Sequence, residues 1–307
     1  MDIKKYRKSI LRYYPLFLMA VPGLVYFFIN NYLPMGGLVV AFKDYNFRLG
    51  IWGSHFIGLD NFRFLFRTKD AFIITRNTIL YNAGFIVFNT VFSVTVAIVL
   101  NEVRFRFASR LYQTIILLPY LISMIIVSYL TFSLFSTDQG FIDKTLLPLF
   151  GKNPVSWYAE ANYWPVILNI VSLWKSFGFY TVIYLSSIVG IDRTYYEAAG
   201  LDGANKIQVI FNITIPHIMP VVSVMVLLAV GRIFYSDFGL FYRVPMNSGP
   251  LFNATNVIDT YVYRGLILLG DIGMTAAAGL YQAVVGFILV FATNLIVRRV
   301  NPENALF

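Results

Sequence analysis

The sequence predicts an all-α, polytopic membrane protein with about six transmembrane helices. Its 307 residues are 58% hydrophobic and only 13% charged, with a mean hydropathy of +0.68, whereas soluble domains carry about 25% charged residues. The apolar residues gather in several blocks of about 20, the length that an α-helix needs to cross a hydrocarbon core of roughly 30 Å. The sequence lacks the alternating segments of about ten residues that are typical of a transmembrane β-barrel.

Six spans are predicted, within a single transmembrane domain that covers residues 1–307. They lie at about residues 12–41, 78–100, 111–135, 163–190, 218–235 and 274–297. The first apolar run is much longer than the core of a signal peptide, about 7–15 residues, so we expect it to remain as a helix. Because Pro22, Asn30 and Pro34 interrupt this run, a bend or an early end is expected there.

The basic residues near the spans indicate the orientation. An even number of spans places both termini on one side of the membrane. With both termini in the cytoplasm, the inner side carries twelve Lys and Arg residues and the outer side ten. The tail before the first span is densely basic, and Arg104, Arg106 and Arg110 share one very short loop, as is typical of cytoplasmic segments. Both termini are therefore predicted to be cytoplasmic.

Composition and missing motifs exclude several classes of function. The chain has no cysteine, which rules out disulfides and thiolate chemistry, and only two histidines, so no metal site is expected. The net charge of +9 is spread along the ends of the spans, unlike the clustered charge of a nucleic-acid-binding module. The nucleotide loop Gly-x4-Gly-Lys-Ser/Thr is absent, as are the Gly-x-Ser-x-Gly and His-Glu-x-x-His motifs. No catalytic residue is predicted.

The most informative stretch lies between the fourth and fifth predicted spans. It reads Tyr196-Glu197-Ala198-Ala199-Gly200-Leu201-Asp202-Gly203-Ala204. Glutamate and alanine favour a short helix, the two glycines can break it, and Asp202 can accept hydrogen bonds from a following turn. Small residues around the single carboxylate of Glu197 suit docking to a basic partner. An ordinary loop whose glycines merely turn the chain remains the alternative.

This stretch resembles the EAA signature of permease subunits in binding-protein-dependent ABC importers, particularly those of the carbohydrate-uptake group. The matching pattern is Glu197-Ala-Ala-(x)2-Asp-Gly-Ala, followed by Phe211, Ile213, Pro216 and Pro220. Other matching pieces are Gly58-Leu-Asp-Asn-Phe, Asn77-Thr78, Leu118-Pro119 and Ile258-Asp-Thr-Tyr-Val-Tyr-Arg-Gly265. The last piece, with Phe42-Lys-Asp-Tyr and Gly50-Ile-Trp-Gly53, is most similar to the subgroup of polysaccharide or complex-oligosaccharide permeases. His217-Ile218-Met219 departs from the leucine-rich sequence usual between the two prolines.

The resemblance implies a type I ABC importer permease in the plasma membrane of a bacterium, forming half of a path for oligosaccharides or other glycans. It implies that a cytoplasmic EAA loop at about residues 191–217 couples the chain to an ATPase. The coupling residues would be Glu197, Ala198, Ala199, Gly200, Asp202, Gly203 and Ala204. Expected partners are a second, homologous permease, two ATPase subunits and an extracellular substrate-binding lipoprotein. No cofactor is expected on this chain, since ATP and Mg²⁺ would bind the ATPases, and the chain is not expected to be an enzyme.

Candidate residues of the substrate path are charged or aromatic. Lys175 and Arg232 lie inside or beside apolar spans, where a charge is costly and often faces a water-filled cavity. Alternatively, Lys175 forms a hydrogen bond between helices, and Arg232 snorkels to the surface or pairs with Asp237. Aromatic rings stack on the apolar faces of sugars, although each ring is alternatively packed or lipid-facing. The aromatic candidates are Tyr129, Trp174, Phe179, Tyr235 and Phe238.

Three other functions remain as alternatives. The nearest is a permease of the same type for another small solute, such as an amino acid or phosphate. An ion-coupled secondary transporter or channel would require acidic residues within the spans, which contain almost none. An intramembrane enzyme would require a nucleophile with its base, or paired metal ligands, at membrane depth.

Overall fold

The computed structural model describes residues 3–63, 68–103 and 105–300, with only the backbone described at residues 3–12, 106, 296 and 300. Arg104 and the side chains of the basic tail, on which the predicted orientation depends, lie outside the described part. The longer helices and those used below are α1 (Ile3–Phe27), α2 (Lys69–Asn101), α3 (Arg106–Leu121), α4 (Met124–Phe135), α5 (Trp164–Val189), α6 (Arg193–Leu201), α7 (Lys206–Val209), α8 (Ile215–Gly231), α9 (Ile258–Arg264) and α10 (Ile272–Val300).

Shorter elements join these helices. Single α-helical turns are Gly50–Gly53, Leu147–Leu149 and Phe252–Thr255. Segments of 3-10 helix are Leu33–Phe42, Asp60–Phe62, Ala161–Tyr163 and Gly249–Leu251, and π-helical turns are Phe28–Tyr32, Ile142–Leu146, Ile210–Thr214, Gly239–Arg243 and Gly265–Leu269. Two short strands, β1 (Lys43–Asp44) and β2 (His55–Phe56), pair antiparallel, with Lys43 opposite Phe56.

The predicted all-α architecture with about six spans is confirmed. Helical segments long and apolar enough to cross a membrane are Tyr13–Phe42, Lys69–Asn101, Ala161–Val189, Lys206–Gly231 and Ile272–Arg299. A sixth span results if α3 and α4, which are bent by 95° at a short break, count as one. In the first span, Pro22 lies inside α1 and the chain stays helical to Phe42, changing only its helical type.

Two predicted span boundaries were wrong, in each case because helical structure begins well before the predicted start of the span. The second helix begins nine residues before position 78, at Lys69, because the Thr68 side chain caps it by accepting a hydrogen bond from the amide of Ala71 at 3.2 Å. The third predicted span is interrupted, because α3 ends at Leu121 and α4 begins at Met124. The fifth runs over Lys206–Gly231 and not 218–235, so most of the predicted loop 191–217 is helical.

The chain divides into two compact units. The first comprises the described parts of Met1–Leu65 together with Gly265–Leu280. Two side chains bind the backbone in this unit: Asn61 donates to the carbonyls of Ala41 and Lys43 at 3.1 and 2.9 Å. Lys43 donates to the carbonyls of Ile51 and Trp52 at 2.9 and 3.1 Å. These contacts give structural roles to the lysine of Phe42-Lys-Asp-Tyr and to the asparagine of Gly58-Leu-Asp-Asn-Phe.

The second unit comprises Phe66–Arg264 and Tyr281–Phe307, of which residues 68–103, 105–264 and 281–300 are described. Its apolar residues form two separate clusters along α2 and α5. One cluster includes Tyr81, Trp164 and Leu168, and the other includes Leu100 and Ile188. Between the clusters, the buried residues of both helices are polar or small, which leaves room for a cavity: they are Asn89 and Ser93 in α2, and Ser172, Gly178 and Thr181 in α5.

Candidate functional site

The segment 192–208, which contains the EAA pattern, is held by its own backbone and side chains. Asp192 caps α6, because its carboxylate accepts a hydrogen bond from the amide of Thr194 at 2.9 Å. The backbone hydrogen bond from Thr194 lowers the pKa of Asp192. Tyr196 lies within hydrogen-bonding distance of Thr214, at 3.3 Å between the hydroxyl oxygens. The start of α6 is therefore anchored to the helical segment that follows it.

Gly203 ends α6 in a Schellman motif. Its φ of 74° is in the left-handed region that favours glycine. The amide of Gly203 donates to the carbonyl of Gly200 at 3.2 Å, and the amide of Ala204 donates to that of Ala199 at 2.9 Å. Two local expectations were wrong here: Gly200 lies inside α6 and does not break it, and the cap of the following turn is Asn205 and not Asp202.

Large apolar residues are exposed in this segment and just after it. The side chain of Leu201, at the end of α6, is 91% exposed, and Ile207 and Phe211 are also largely exposed. Glu197 is exposed and forms no hydrogen bond or ion pair with the described residues. Lys206 forms an ion pair with Glu102 at the end of α2, with 2.6 Å between nitrogen and oxygen. An exposed leucine beside a free carboxylate is an arrangement that a protein partner can cover.

A polar cavity of about 290 Å³ lies in the second unit, between the two apolar clusters. We call it the polar cavity. It is lined by Asn82, Phe85, Ile86, Asn89, Thr90, Tyr120, Met124, Ser172, Lys175, Ser176, Tyr180, Tyr184, Met225, Ala229, Arg232, Tyr235, Asp237 and Leu240. Four residues predicted from the sequence as pathway candidates therefore come together: Lys175, Arg232, Tyr235 and Asp237.

Lys175 both lines the polar cavity and stabilises the break between α3 and α4. Its Nζ donates to the carbonyl oxygens of Pro119, Tyr120 and Ile122 at 3.3, 3.1 and 2.7 Å. A helix broken within a membrane leaves carbonyls without helical partners, and each costs several kcal/mol unless another group satisfies it. Lys175 supplies these hydrogen bonds. This agrees with the alternative expectation from the sequence, in which Lys175 forms a hydrogen bond between helices.

Arg232, Tyr235 and Asp237 lie on the segment that follows α8. One oxygen of Asp237 accepts a hydrogen bond from the amide of Leu240 at 3.1 Å. Arg232 and Asp237 do not form an ion pair, although both are described. The intervening Ser236 is held by Asp259 of α9, whose carboxylate accepts from the amide of Ser236 at 2.8 Å. Through Ser236, Asp259 positions the segment that carries Tyr235 and Asp237. Burial of the Asp259 carboxylate removes it from water, which raises its pKa.

The other predicted aromatic residues do not line the polar cavity. Tyr129 is exposed on α4, and Trp174 faces an apolar groove between α4 and α5. Phe179 stacks on Tyr120, with ring centroids 4.7 Å apart. Phe238 stacks on Tyr242, with ring centroids 4.8 Å apart. Aromatic composition alone does not indicate which side of a helix a ring occupies, and these four rings were selected by residue type.

Sequence reasoning missed most of the polar lining. Asn82 and Asn89 are seven residues apart on α2, and Ser172 and Ser176 are four apart on α5. Such spacing places polar side chains on one face of a helix, which is the signal that would have found them. The side-chain oxygen of Asn89 is buried and has no hydrogen-bond partner among the described residues. A buried acceptor of this kind is available to a ligand hydroxyl.

Comparison with known proteins gives a consistent result over nearly the whole chain. Residues 89–302 match the family of binding-protein-dependent transport system inner membrane components. Protein LplB of Bacillus subtilis is 35% identical over 289 residues, covering 94% of this chain and 90% of LplB. The polygalacturonan/rhamnogalacturonan transport system permease protein YteP of the same organism is 34% identical over 94% of this chain and 89% of its own.

Solved structures agree with the sequence matches. The fold is similar to a chain of a bacterial ABC transporter involved in import of the acidic polysaccharide alginate, with a TM-score of 0.88 and 29% identity over 97% of this chain and 99% of that chain. A second structure, of a bacterial alginate ABC transporter in complex with a periplasmic protein bound to an alginate pentasaccharide, matches with a TM-score of 0.86 and 29% identity over 95% of this chain and 97% of that chain.

Proposed function

The chain belongs to the family of binding-protein-dependent transport system inner membrane components, and we propose that it carries oligosaccharides or polysaccharide fragments across a bacterial plasma membrane. As a member of this family it is a transport subunit and not an enzyme. One observation carries the proposal of substrate class: 97% of the chain is similar in fold to an importer of alginate. The polar cavity, lined by amides, hydroxyls and tyrosine rings, offers groups that bind sugars.

We propose that α6 is the coupling helix. The support is the hydrogen-bonded turn that ends it, the exposed Leu201 and Glu197, which has no partner among the described residues. Two ATPases, which bind ATP and Mg²⁺, would each receive such a helix, one from this chain and one from a second, homologous permease. A substrate-binding protein delivers the glycan on the outer side. This assignment requires both termini and the segment 192–208 to be cytoplasmic.

The test is transport by the reconstituted complex of this chain, its second permease, the ATPases and the binding protein. Proteoliposomes loaded with ATP are expected to take up labelled oligosaccharides only when the binding protein is present outside. Labelled amino acids and inorganic phosphate serve as controls for the nearest alternative. Uptake of those solutes in place of sugars, or uptake driven by an ion gradient without ATP, would contradict the proposed function.

A further inference from the structure

Arg232 lines the polar cavity and has no hydrogen-bond or ion-pair partner in the described part of the chain. Its side chain is exposed there. The other cation of the cavity differs, because three carbonyl oxygens surround the ammonium group of Lys175. A charged side chain within the membrane costs free energy unless an opposite charge or a polar ligand compensates it. The guanidinium is thus available to a ligand.

The charges that face the cavity favour an anionic ligand. Its lining includes two cations, Lys175 and Arg232, and one carboxylate, Asp237. Asp237 does not neutralise Arg232, since no ion pair joins them and one of its oxygens caps the turn at Leu240. A guanidinium has a planar fork of donors that matches a carboxylate with two parallel hydrogen bonds, a geometry that an uncharged sugar hydroxyl cannot supply.

The neighbours of Arg232 fit the rest of a sugar ring. Tyr235 and Tyr180 line the same cavity, and aromatic rings can stack on the apolar face of a pyranose. The unpartnered oxygen of Asn89 can accept a hydrogen bond from a hydroxyl. A carboxylate and several hydroxyls on one ring are the chemistry of a uronic acid. YteP is named for polygalacturonan and rhamnogalacturonan, and the similar solved structure for the acidic polysaccharide alginate.

We infer that Arg232 binds the carboxylate of a uronate residue, so that the polar cavity selects acidic oligosaccharides over neutral ones. The inference rests on the proposed function, which it narrows to a substrate class. Arg232 is a specificity-determining residue in this account. Lys175 contributes positive potential but keeps its hydrogen bonds to the α3–α4 break.

The experiment compares matched ligands that differ only in charge. Trigalacturonate and the same trisaccharide with its carboxylates reduced to hydroxymethyl groups are titrated onto the purified complex without its binding protein, with saturation-transfer NMR as the readout. An oligoalginate and its reduced form are a second pair. The wild type is expected to bind at least one acidic ligand about tenfold more tightly than its reduced form, which corresponds to about 1.4 kcal/mol. Arg232→Gln is expected to abolish this preference, and Arg232→Lys to retain part of it.

Arg243→Gln is the matched control, because Arg243 is exposed on a neighbouring turn and does not line the polar cavity. This variant should keep the wild-type preference. Equal binding of both members of each pair by the wild type, or an unchanged preference in Arg232→Gln, would overturn the inference. So would binding of neither pair. Transport of neutral oligosaccharides that depends on ATP but not on Arg232 would refute the inference and leave the proposed function intact.

Discussion

The segment 192–208 and the polar cavity contain similar kinds of residue but use them differently. In the segment, glycine, leucine, lysine and aspartate face outward, and the backbone is held by local caps. In the cavity region, the same residue types are packed against distant parts of the chain. Gly178 of α5 meets α3, for example, and Lys175 binds three carbonyls more than 50 residues away in sequence. One region keeps a surface free for a partner, and the other maintains an internal space.

Two glycines should show the largest difference between the regions. A Cβ atom at Gly178 would lie 1.8 Å from the backbone oxygen of Ile116, whereas one at Gly200 would meet no atom within 4 Å. We expect Gly178→Ala to destabilise the protein by about 3 kcal/mol or more, since overpacking against backbone is not easily relieved. Gly200→Ala should be neutral or stabilise α6 by up to about 1 kcal/mol. Thermal unfolding of the two variants in detergent measures both effects, and equal unfolding midpoints would contradict the close contact.

Variants of two exposed leucines test whether α6 docks to a partner or is merely exposed. Leu201 ends α6, and Leu149, which is 75% exposed, lies in the loop between α4 and α5. We expect Leu201→Asp combined with Glu197→Lys to reduce recovery of the ATPase with the purified permease by tens-fold, because losing such contacts typically costs about 2–5 kcal/mol. Leu149→Asp should leave recovery unchanged. Normal recovery by the double variant at normal membrane abundance would remove the coupling role from α6.

Two lysines compare a satisfied internal cation with an exposed one. Lys175→Met removes hydrogen bonds to three carbonyls at the α3–α4 break and is expected to cost roughly 2–4 kcal/mol, because hydrogen bonds from charged groups stabilise more than neutral ones. Lys206→Met breaks only the exposed ion pair with Glu102 and should cost less than about 1 kcal/mol. The readout is the unfolding midpoint, and Lys175→Arg should restore part of it. If Lys175→Met has the wild-type unfolding midpoint, Lys175 does not stabilise the α3–α4 break, and only a role in the substrate path is left for it.

Two aspartates should make folding stability depend on pH in opposite directions. These are the smallest of the expected effects. The folded-state pKa of Asp259 is raised by burial, so its contribution is most favourable below the unfolded pKa and is lost as pH rises through the folded value. The folded-state pKa of Asp192 is lowered by its hydrogen bonds, so its contribution is present above the unfolded pKa and is lost as pH falls. Relative to the wild type, Asp259→Asn should gain stability as pH rises from about 4, and Asp192→Asn should lose it.

The pH series is measured as the unfolding midpoint of each variant minus that of the wild type at the same pH. Asparagine at position 259 keeps an oxygen that accepts the hydrogen bonds from Ser236 and Gln282, so the comparison isolates the charge. Difference curves of the same sign for the two variants would contradict the assigned causes.

The comparison also explains what the sequence predicted. The EAA pattern lies within a short contiguous run, so residue identity and spacing were enough to predict a helix at Glu197 and a turn near Gly203. Lys175 and Arg232 were conspicuous because charges are rare in apolar spans. Their different environments were not predictable. Lys175 donates hydrogen bonds to carbonyls that lack helical partners only because the helix ends just after Pro119. Asp259 belongs to a motif that the sequence analysis matched, but its contact was not predicted, because its partner Ser236 is 23 residues away and no local pattern joins them.

The contact between α6 and an ATPase is the central claim, and one cross-linking measurement tests it most directly. The chain has no cysteine, so Asp202→Cys and Leu149→Cys each introduce a single exposed thiol. Each variant is assembled in cells with its partners, and its thiol is coupled to a membrane-permeant photo-cross-linker. The account predicts that position 202 cross-links to the ATPase, that position 149 does not, and that a membrane-impermeant reagent outside the cell modifies only position 149. External modification of position 202, or absence of its cross-link to an ATPase that is present in the complex, would contradict the assignment of α6 as the coupling helix.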